Sequence, residues 1–377
     1  MELKDIRAEI DRTDDELLKL FLHRMDLAGE VAKTKKENGS PIQDKTRERE
    51  ILAKIAEKSG DMELYSHRLF FTLIELSKTY QHELMRTDSE IRRKIQIAME
   101  GSPVFPRNAL VACQGTEGAN SQEACDKLLP RGNIVYVKTF QAVFDAVESG
   151  LCRFGVLPVE NSSIGSVRSV YDLLAERKLS IVRSTKLNIR HELLCNKGAK
   201  ISDIREIYTH EQAISQCSRF LHELKDVKVI PCANTAVAAK MIAESGDIHA
   251  AAISSHRCAE LYGLDVLNRD IQDSENNYTR FICIEKNPVI YEGASKISLI
   301  ISCDNKPGAL FEMMAKPSIR GINMNKLESC PVSGRNFEFM FIVDLEASVR
   351  EPGVITMLED LEQSCESMTL LGCYAEV

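Results

Sequence analysis

Arg7, Arg24, Lys35, Asp44, Arg47, Glu48, Ser77 and Gln81 occupy positions that helical spacing assigns to a core. In the first helical pattern the apolar residues Leu3, Ile10, Leu17, Phe21, Ala28 and Val31 mark one face. Steps of three and four place Arg7, Arg24 and Lys35 on or beside it. Reading backward from Ile51, Leu52 and Ile55 carries the face of the next pattern onto Asp44, Arg47 and Glu48. A third face, marked by Phe70, Leu73 and Leu84, takes in Ser77 and Gln81. Buried charge is costly unless it is paired. Four cations (Arg7, Arg24, Lys35, Arg47) against two acids (Asp44, Glu48) suit a dianionic ligand. The alternative is that these side chains snorkel at a seam between helical copies. That explains any one of them better than it explains the set.

A second group of polar signatures lies further along: QGTEGANS (114–121), PVENSSIGSV (158–167), YTHEQAISQC (208–217), ANTAVAA (233–239) and NYTRFICIE (277–285). Gly115 and Gly118 precede a helical stretch and suit an anion held by backbone N–H groups. Their spacing fits neither a dinucleotide fingerprint nor a Walker loop. Asn161, Ser162 and Ser163 sit just past an apolar strand, where α/β ligand sites form. His210 invites a general-base role, or it is a helix-start residue making local hydrogen bonds. No Ser-His-Asp arrangement follows from the spacing. These residues point to a two-lobed domain that binds a small anion.

The elements that position these groups fall into three segments. Residues 1–86 hold two long helical patterns and a shorter one, punctuated by Asn38-Gly39-Ser40-Pro41 and Ser59-Gly60-Asp61. Residues 87–107 read as a helix end and linker, closing on Gly101-Ser102-Pro103 and Pro106. Residues 108–286 alternate short apolar runs (ALVAC, NIVYV, FGVLPVE, EIYTH, VKVIPC, HAAAIS) with helical stretches, which predicts an α/β domain with largely parallel strands. Residues 296–377 follow the order βαββαβ of a small ferredoxin-like α+β domain. A length of 377 residues requires more than one core. The net charge of −8 and the lack of a basic patch argue against nucleic acid. No apolar run is long enough to span a membrane. The charged, helical N-terminus is not a signal peptide, so a cytoplasmic protein is expected. The 12 cysteines are scattered, without CxxC or metal-ligand spacing, so neither a disulfide framework nor a metal is expected.

The segments IRAEIDRTDDELLKLFLHRMDLAGEVAKTK, DKTRERE and LSKTYQ resemble the all-helical chorismate mutase family across nearly all of residues 1–86. The resemblance matches every inward polar position above. It implies that Arg7, Arg24 and Arg47 grip the substrate carboxylates. Lys35 and Gln81 donate to the ether oxygen, and Glu48 holds the ring hydroxyl. Asp44 and Ser77 complete the set. In that family Arg7 reaches in from a second copy, which implies intertwined helices in a homodimer or homotetramer. The rearrangement is pericyclic and calls for no cofactor.

Residues 108–286 resemble the prephenate dehydratase family, whose two lobes are like those of periplasmic binding proteins. Thr279-Arg280-Phe281, Pro158-Val159-Glu160-Asn161-Ser162 and Thr209-His210 with Gln212 carry the likeness. It implies Thr279 as the donor to the departing hydroxyl, against the alternative of a plain strand residue. Arg280 or backbone amides would anchor carboxylates. Ser121, Asn161, Ser162, His210, Gln212, Asn234, Thr235 and Phe281 complete the expected prephenate site.

Residues 296–377 resemble an ACT domain, with Gly308-Ala309-Leu310-Phe311 and Glu328-Ser329-Cys330-Pro331 matching the motifs used for phenylalanine. Cys330 stands where that family has arginine, and a plain turn after Pro307 is the alternative for the first motif. Pro317 is expected to end or kink its helix. The whole is similar to the bifunctional chorismate mutase/prephenate dehydratase family. It implies chorismate and prephenate as substrates and L-phenylalanine as allosteric ligand. The rival from another class is a non-enzymatic sensor built from a helical dimeriser, an anion-binding module and an amino-acid module.

Overall fold

The computed structural model describes residues 2–42, 44–85, 89–101, 104–303, 308–331 and 339–377, without the Lys45 side chain. Thr87, Asp88, Ser102, Pro103 and Pro307 from the expectations above lie outside the described residues. The chain forms two compact units. One comprises Met1–Lys94 with Ile301–Met368, the other Ile95–Ile300 with Thr369–Val377.

The first unit opens with α1 (Leu3–Asn38), α2 (Lys45–Ser59) and α3 (Glu63–Met85). Gly39 stops α1 in the left-handed region at φ 64°, its N–H bonding the Lys35 carbonyl. Asp44 caps α2 by accepting from the Arg47 N–H at 3.0 Å. Both α1 and α2 pack on α3. The apolar stripe read from the sequence is only partly covered: Ala28 is buried, while Leu3, Ile10, Leu17 and Val31 are exposed. At 1.5 Å per residue α1 is about 54 Å long and α3 about 35 Å, so α3 is too short to cover it.

The expected linker holds a helix, α4 (Glu90–Met99). Its signal is local, since Ile91, Ile95 and Ala98 recur at helical spacing and are buried.

The second unit has two lobes. The first lobe runs β1 (Leu110–Gln114), α5 (Asn120–Leu128), β2 (Asn133–Val137), α6 (Phe140–Glu148), β3 (Phe154–Asn161), β4 (Gly165–Ser166), α7 (Arg168–Glu176) and β5 (Ser180–Asn188). The second lobe runs β6 (Glu192–Cys195), β7 (Glu206–Thr209), α8 (Glu211–Gln216), α9 (Ser218–Glu223), β8 (Lys228–Pro231), α10 (Thr235–Ser245), β9 (Ala250–Ser254), α11 (His256–Tyr262) and β10 (Asp265–Asn268). The chain then returns to the first lobe as β11 (Tyr278–Glu285). Strand order is β2-β1-β3-β11-β5 in the first sheet and β10-β6-β9-β7-β8 in the second. The strands are less uniformly parallel than the largely parallel arrangement expected: β11 runs antiparallel to β3 and β5, and β6 antiparallel to β9 and β10. The cause is topological, because β11 re-enters the first sheet from the other lobe.

The C-terminal segment runs β12 (Lys296–Ser302), α12 (Ala309–Ile319), β13 (Asn323–Pro331), β14 (Phe339–Glu346), α13 (Val354–Ser364) and β15 (Ser367–Glu376), the expected βαββαβ order. Pro317 lies two residues from the end of α12, and its carbonyl accepts from Arg320 and Ile322. It closes the helix.

Candidate active sites

A cavity of about 420 Å³ lies between the two lobes of the second unit. Its centre is built by strand register. Thr279 on β11 lies directly opposite Asn161 on β3, so their side chains share one face of the sheet. Asn161 Nδ2 donates to Thr279 Oγ1 at 2.9 Å and to Asn277 Oδ1 at 2.9 Å. The orientation of the Asn161 amide is fixed from its other end, where Oδ1 accepts from the Ser163 N–H at 3.0 Å. This polarity has a chemical consequence. Thr279 Oγ1 already accepts a hydrogen bond, so its own proton is available to donate into the cavity.

The structure also brings Ser121, His210, Gln212, Asn234, Thr235 and Phe281 to the cavity wall. His210 caps α8, with Nδ1 accepting from the Gln212 N–H at 3.2 Å, which is the helix-start alternative. Asn234 caps α10 in the same way through Oδ1 and the Val237 N–H.

Two expected residues do not reach the cavity. Arg280 follows Thr279 on a strand, so its side chain leaves on the opposite face. There it pairs with Glu160 at 3.3 Å and donates to the Tyr171 hydroxyl at 3.1 Å. Ser162 is spent on local structure: its Oγ donates to the Asn276 carbonyl and accepts from the Tyr278 N–H. No lysine or arginine lines the cavity among the described residues. An anion in this cavity would be met by neutral donors and by the starts of α5 and α10, where N–H groups and the helix dipole favour negative charge.

The sequence reading missed His191 and Gln216, which line the cavity. Gln216 Nε2 donates to Asn277 Oδ1 at 3.5 Å, and its Oε1 faces His191 Nε2 at 2.9 Å. Gln216 was within reach, since it follows Gln212 at i+4 on one helical face. His191 had no such signal, being an isolated residue between β5 and β6. Its burial holds the ring below the usual histidine range.

In the first unit α3 carries Ser77 and Gln81, and Arg24 and Glu48 reach it from α1 and α2. Arg24 Nη1 donates to the Leu73 carbonyl at 2.7 Å and to Ser77 Oγ. Lys35 Nζ donates to the Ile42 carbonyl at 2.5 Å. Glu48 pairs with Lys78 at 3.2 Å. Gln81 is buried, and its Oε1 has no hydrogen-bond partner among the described residues. A buried acceptor left unpaired in this way is unusual. Asp44 and Arg47 are exposed, and Arg47 reaches Glu50 at 3.2 Å. Arg7 is also exposed. It precedes Arg24 by 17 positions on one continuous helix, a rise of about 26 Å. One chain therefore cannot bring both to one small ligand.

In the C-terminal segment Gly308 caps α12 at φ 90°, and its carbonyl accepts from the Glu312 N–H at 2.9 Å. Ala309 lies on the first turn, Leu310 and Phe311 are exposed, and Glu328 and Ser329 lie on β13 with Cys330 buried beside them.

A second cavity, of about 670 Å³, is lined by α3, α12 and α13 together with Lys35 and Pro41. His82 Nδ1 and Asp360 Oδ1 face each other there at 3.5 Å. Burial pushes the Asp360 carboxyl up to about 7 and the His82 ring down to about 4. Folded, both groups are neutral between those values. A raised carboxyl pKa means that stability falls as pH rises from about 4 to 7, whereas the lowered histidine adds stability with pH up to about 6.5. The two slopes oppose each other. Asp360→Asn removes only the first. The stability difference, variant minus parent, is expected to grow by on the order of 3–4 kcal/mol between pH 4 and 7 and to level off above pH 7. Urea unfolding followed at the helical CD band measures it. A difference that stays constant with pH means that Asp360 is charged in the folded state.

A family model for chorismate mutase type II matches residues 6–82, and one for prephenate dehydratase matches residues 111–289. The bifunctional chorismate mutase/prephenate dehydratase of Escherichia coli (strain K12) is 30% identical over 378 residues, covering 98% of this chain and 95% of that protein. The chain belongs to the bifunctional chorismate mutase/prephenate dehydratase family. Its two activities are those of the mutase and the dehydratase, and they serve phenylalanine biosynthesis. An arogenate dehydratase/prephenate dehydratase from Arabidopsis thaliana is 35% identical over 337 residues, 82% of this chain and 88% of that one. Among solved structures, a prephenate dehydratase from Arthrobacter aurescens in complex with L-Phe matches with a TM-score of 0.65 and 27% identity, over 71% of this chain and 89% of that one. No helix among the described residues is long and apolar enough to cross a membrane.

Proposed function

We propose that the cavity around Thr279 is the dehydratase site and that the inward polar groups of α1 to α3 are the mutase site. The observation that carries the dehydratase reading is the polarity of the Ser163–Asn161–Thr279 chain, which leaves the threonine proton free to donate. As the ring carboxylate departs as CO₂, its bonding electrons enter the ring and the ring C–O bond breaks. Thr279 stabilises the charge gathering on that oxygen. An alkyl hydroxyl is too weak an acid to give up its proton, so solvent supplies the one that completes water. Ser121, Asn234, Thr235 and the helix starts hold the carboxylates, and His210, Gln212 and Phe281 shape the wall.

In the mutase site Arg24 and Arg47 grip chorismate's carboxylates through the planar fork of guanidinium. Lys35 and Gln81 donate to the breaking ether oxygen, and Glu48 holds the ring hydroxyl. Asp44 and Ser77 position these groups. Catalysis consists of holding the compact conformer and stabilising charge. Arg7 comes from a second copy, whose α1 covers the exposed Leu3, Ile10 and Leu17 face, so the working form is a homodimer or a pair of dimers. The protein acts in the cytoplasm, where neither substrate need cross a membrane. The domains are a mutase domain at 1–86, a dehydratase domain at 108–286 and an ACT domain at 296–377. A single preparation assayed for chorismate loss and then for phenylpyruvate formation tests the whole. Chorismate loss with prephenate accumulating unchanged would remove the dehydratase half.

The ACT domain senses L-phenylalanine at Gly308 to Phe311, with Glu328 and Ser329 opposite, and lowers dehydratase turnover through preferential binding to a less active state. Coupling of about 1–3 kcal/mol is the usual range. Backbone amides carry the contact, because the Cys330 thiol lacks arginine's donors. Gly308→Ala meets open space but is strained at φ 90°. Calorimetry is expected to give binding heat with the parent and weaker binding with this variant. No heat with the parent removes the sensing role.

A further inference from the structure

We propose that Lys316, on α12 of the C-terminal segment, is a positioning residue for the mutase site, acting through Glu75 and Lys78 on Glu48. This rests on the reading that Glu48 holds the substrate's ring hydroxyl. Phe71, Glu75, Lys78 and His82 follow one another at steps of four, three and four on α3, so they share one face. The C-terminal helices pack against that face. The Phe311 ring lies 5.1 Å from the Phe71 ring, with the Arg68 guanidinium 5.7 Å from its centre. Lys316 Nζ lies 3.6 Å from Glu75 Oε2, and beside this face Arg320 Nη2 reaches Glu83 at 2.7 Å. Ser77 and Gln81 sit elsewhere on the same helix, toward Arg24 and the helical core.

Lys78 belongs to both sides. It pairs with Glu75 within its own helix and, at 3.2 Å, with Glu48 on α2. The result is an alternating row, Glu48–Lys78–Glu75–Lys316, with two acids and two bases. Its members are largely withdrawn from water: side-chain exposures are 23% for Glu48, 12% for Lys78, 4% for Glu75 and 11% for Lys316. Burial opposes the Lys78 charge, yet Glu75 and Glu48 together hold its pKa above the ordinary lysine value.

The end of such a row is felt along its length. With Lys316 present, Glu75 has two cations and shares Lys78 with Glu48. Without it, Glu75 is a buried carboxylate with one cation left, and an underpaired buried charge is strongly unfavourable. Lys78 then swings fully to Glu75 and releases Glu48, whose carboxylate loses its fixed direction. Glu75 and Lys316 are far apart in sequence, and no local pattern links them. Through their contact the C-terminal segment contributes to the geometry of the mutase site.

The test uses the full chain and measures both activities. Lys316→Met is expected to lower mutase kcat about tenfold, the scale of coupling between directly paired groups, and to leave dehydratase turnover on supplied prephenate within about twofold. Lys316→Arg keeps the charge and is expected to restore the mutase, which a loss of packing would not predict. Lys78→Met should fall by a similar factor, and the double variant no further, because the row is already broken. Glu48→Gln tests the underlying reading separately. A disabled Glu48→Gln with an unaffected Lys316→Met overturns the positioning role and leaves the site reading standing. Losses that multiply in the double variant also overturn it. Parental mutase activity in Glu48→Gln overturns the assignment of Glu48 itself.

Discussion

Thr279→Val is expected to cut dehydratase turnover by roughly two or more orders of magnitude, as for loss of a preorganised donor to developing charge. Valine keeps the β-branched shape that suits a strand and removes only the hydroxyl, so β11 and its register with Asn161 persist. Prephenate binding should change little, because the proposed anchors for its carboxylates are the helix starts and not Thr279. The effect therefore belongs in kcat and not in KM. Thr279→Ser is the control, since its hydroxyl can accept from Asn161 and still donate. Asn161→Asp attacks the same feature from behind. A carboxylate cannot donate to Thr279 Oγ1, so the threonine proton turns back toward the new carboxylate and is lost to the substrate. Steady-state kinetics on prephenate decide the matter. Near-parental turnover in Thr279→Val means that another group assists the departing hydroxyl. Parental turnover in Asn161→Asp means that the polarity of the chain is immaterial.

The contrast between Thr279 and Arg280 illustrates what a sequence yields and what it withholds. Both belong to one motif, and a motif treats neighbours alike. A strand does not, because consecutive side chains leave on opposite faces. Period-two reasoning applied to Thr279-Arg280-Phe281 would have separated the arginine, which instead pairs with Glu160 and Tyr171. Strong local periodicity was legible. The helices of residues 3–85 follow their caps and stop signals, and the βαββαβ order of the C-terminal segment follows its apolar runs. The helix at Glu90–Met99 carried the same signal and was obscured by its polar surroundings. His191 and the Lys316–Glu75 contact were illegible for another reason. Each depends on a residue brought near by the fold, and a single sequence holds no trace of that pairing. Antiparallel β11 is a case between these extremes: its apolar run was readable, but its direction was set by a crossover between lobes.

Arg24→Ala is expected to lower mutase kcat/KM by roughly thirtyfold to several-thousandfold while dehydratase turnover on supplied prephenate stays nearly intact. Arg24 is partly withdrawn from solvent, and burial holds its guanidinium below the usual arginine range. Its Nη1 is already fixed by the Leu73 carbonyl and Ser77, so the rest of the fork is aimed without further ordering. Truncating one member of a desolvated, hydrogen-bonded charge pair costs about 2–5 kcal/mol, which is roughly a thirtyfold to several-thousandfold loss. Arg24→Lys is expected to recover only part of it, because an ammonium cannot offer two parallel donors to a carboxylate. The dehydratase is expected to be spared because the cavity proposed for it is built from residues between Gln114 and Phe281, within the other compact unit. Loss of both activities in a variant whose circular dichroism matches the parent would contradict the separation of the two sites. Retention of mutase activity would leave the inward charge of α1 without its proposed purpose, and the snorkelling alternative would then account for Arg24.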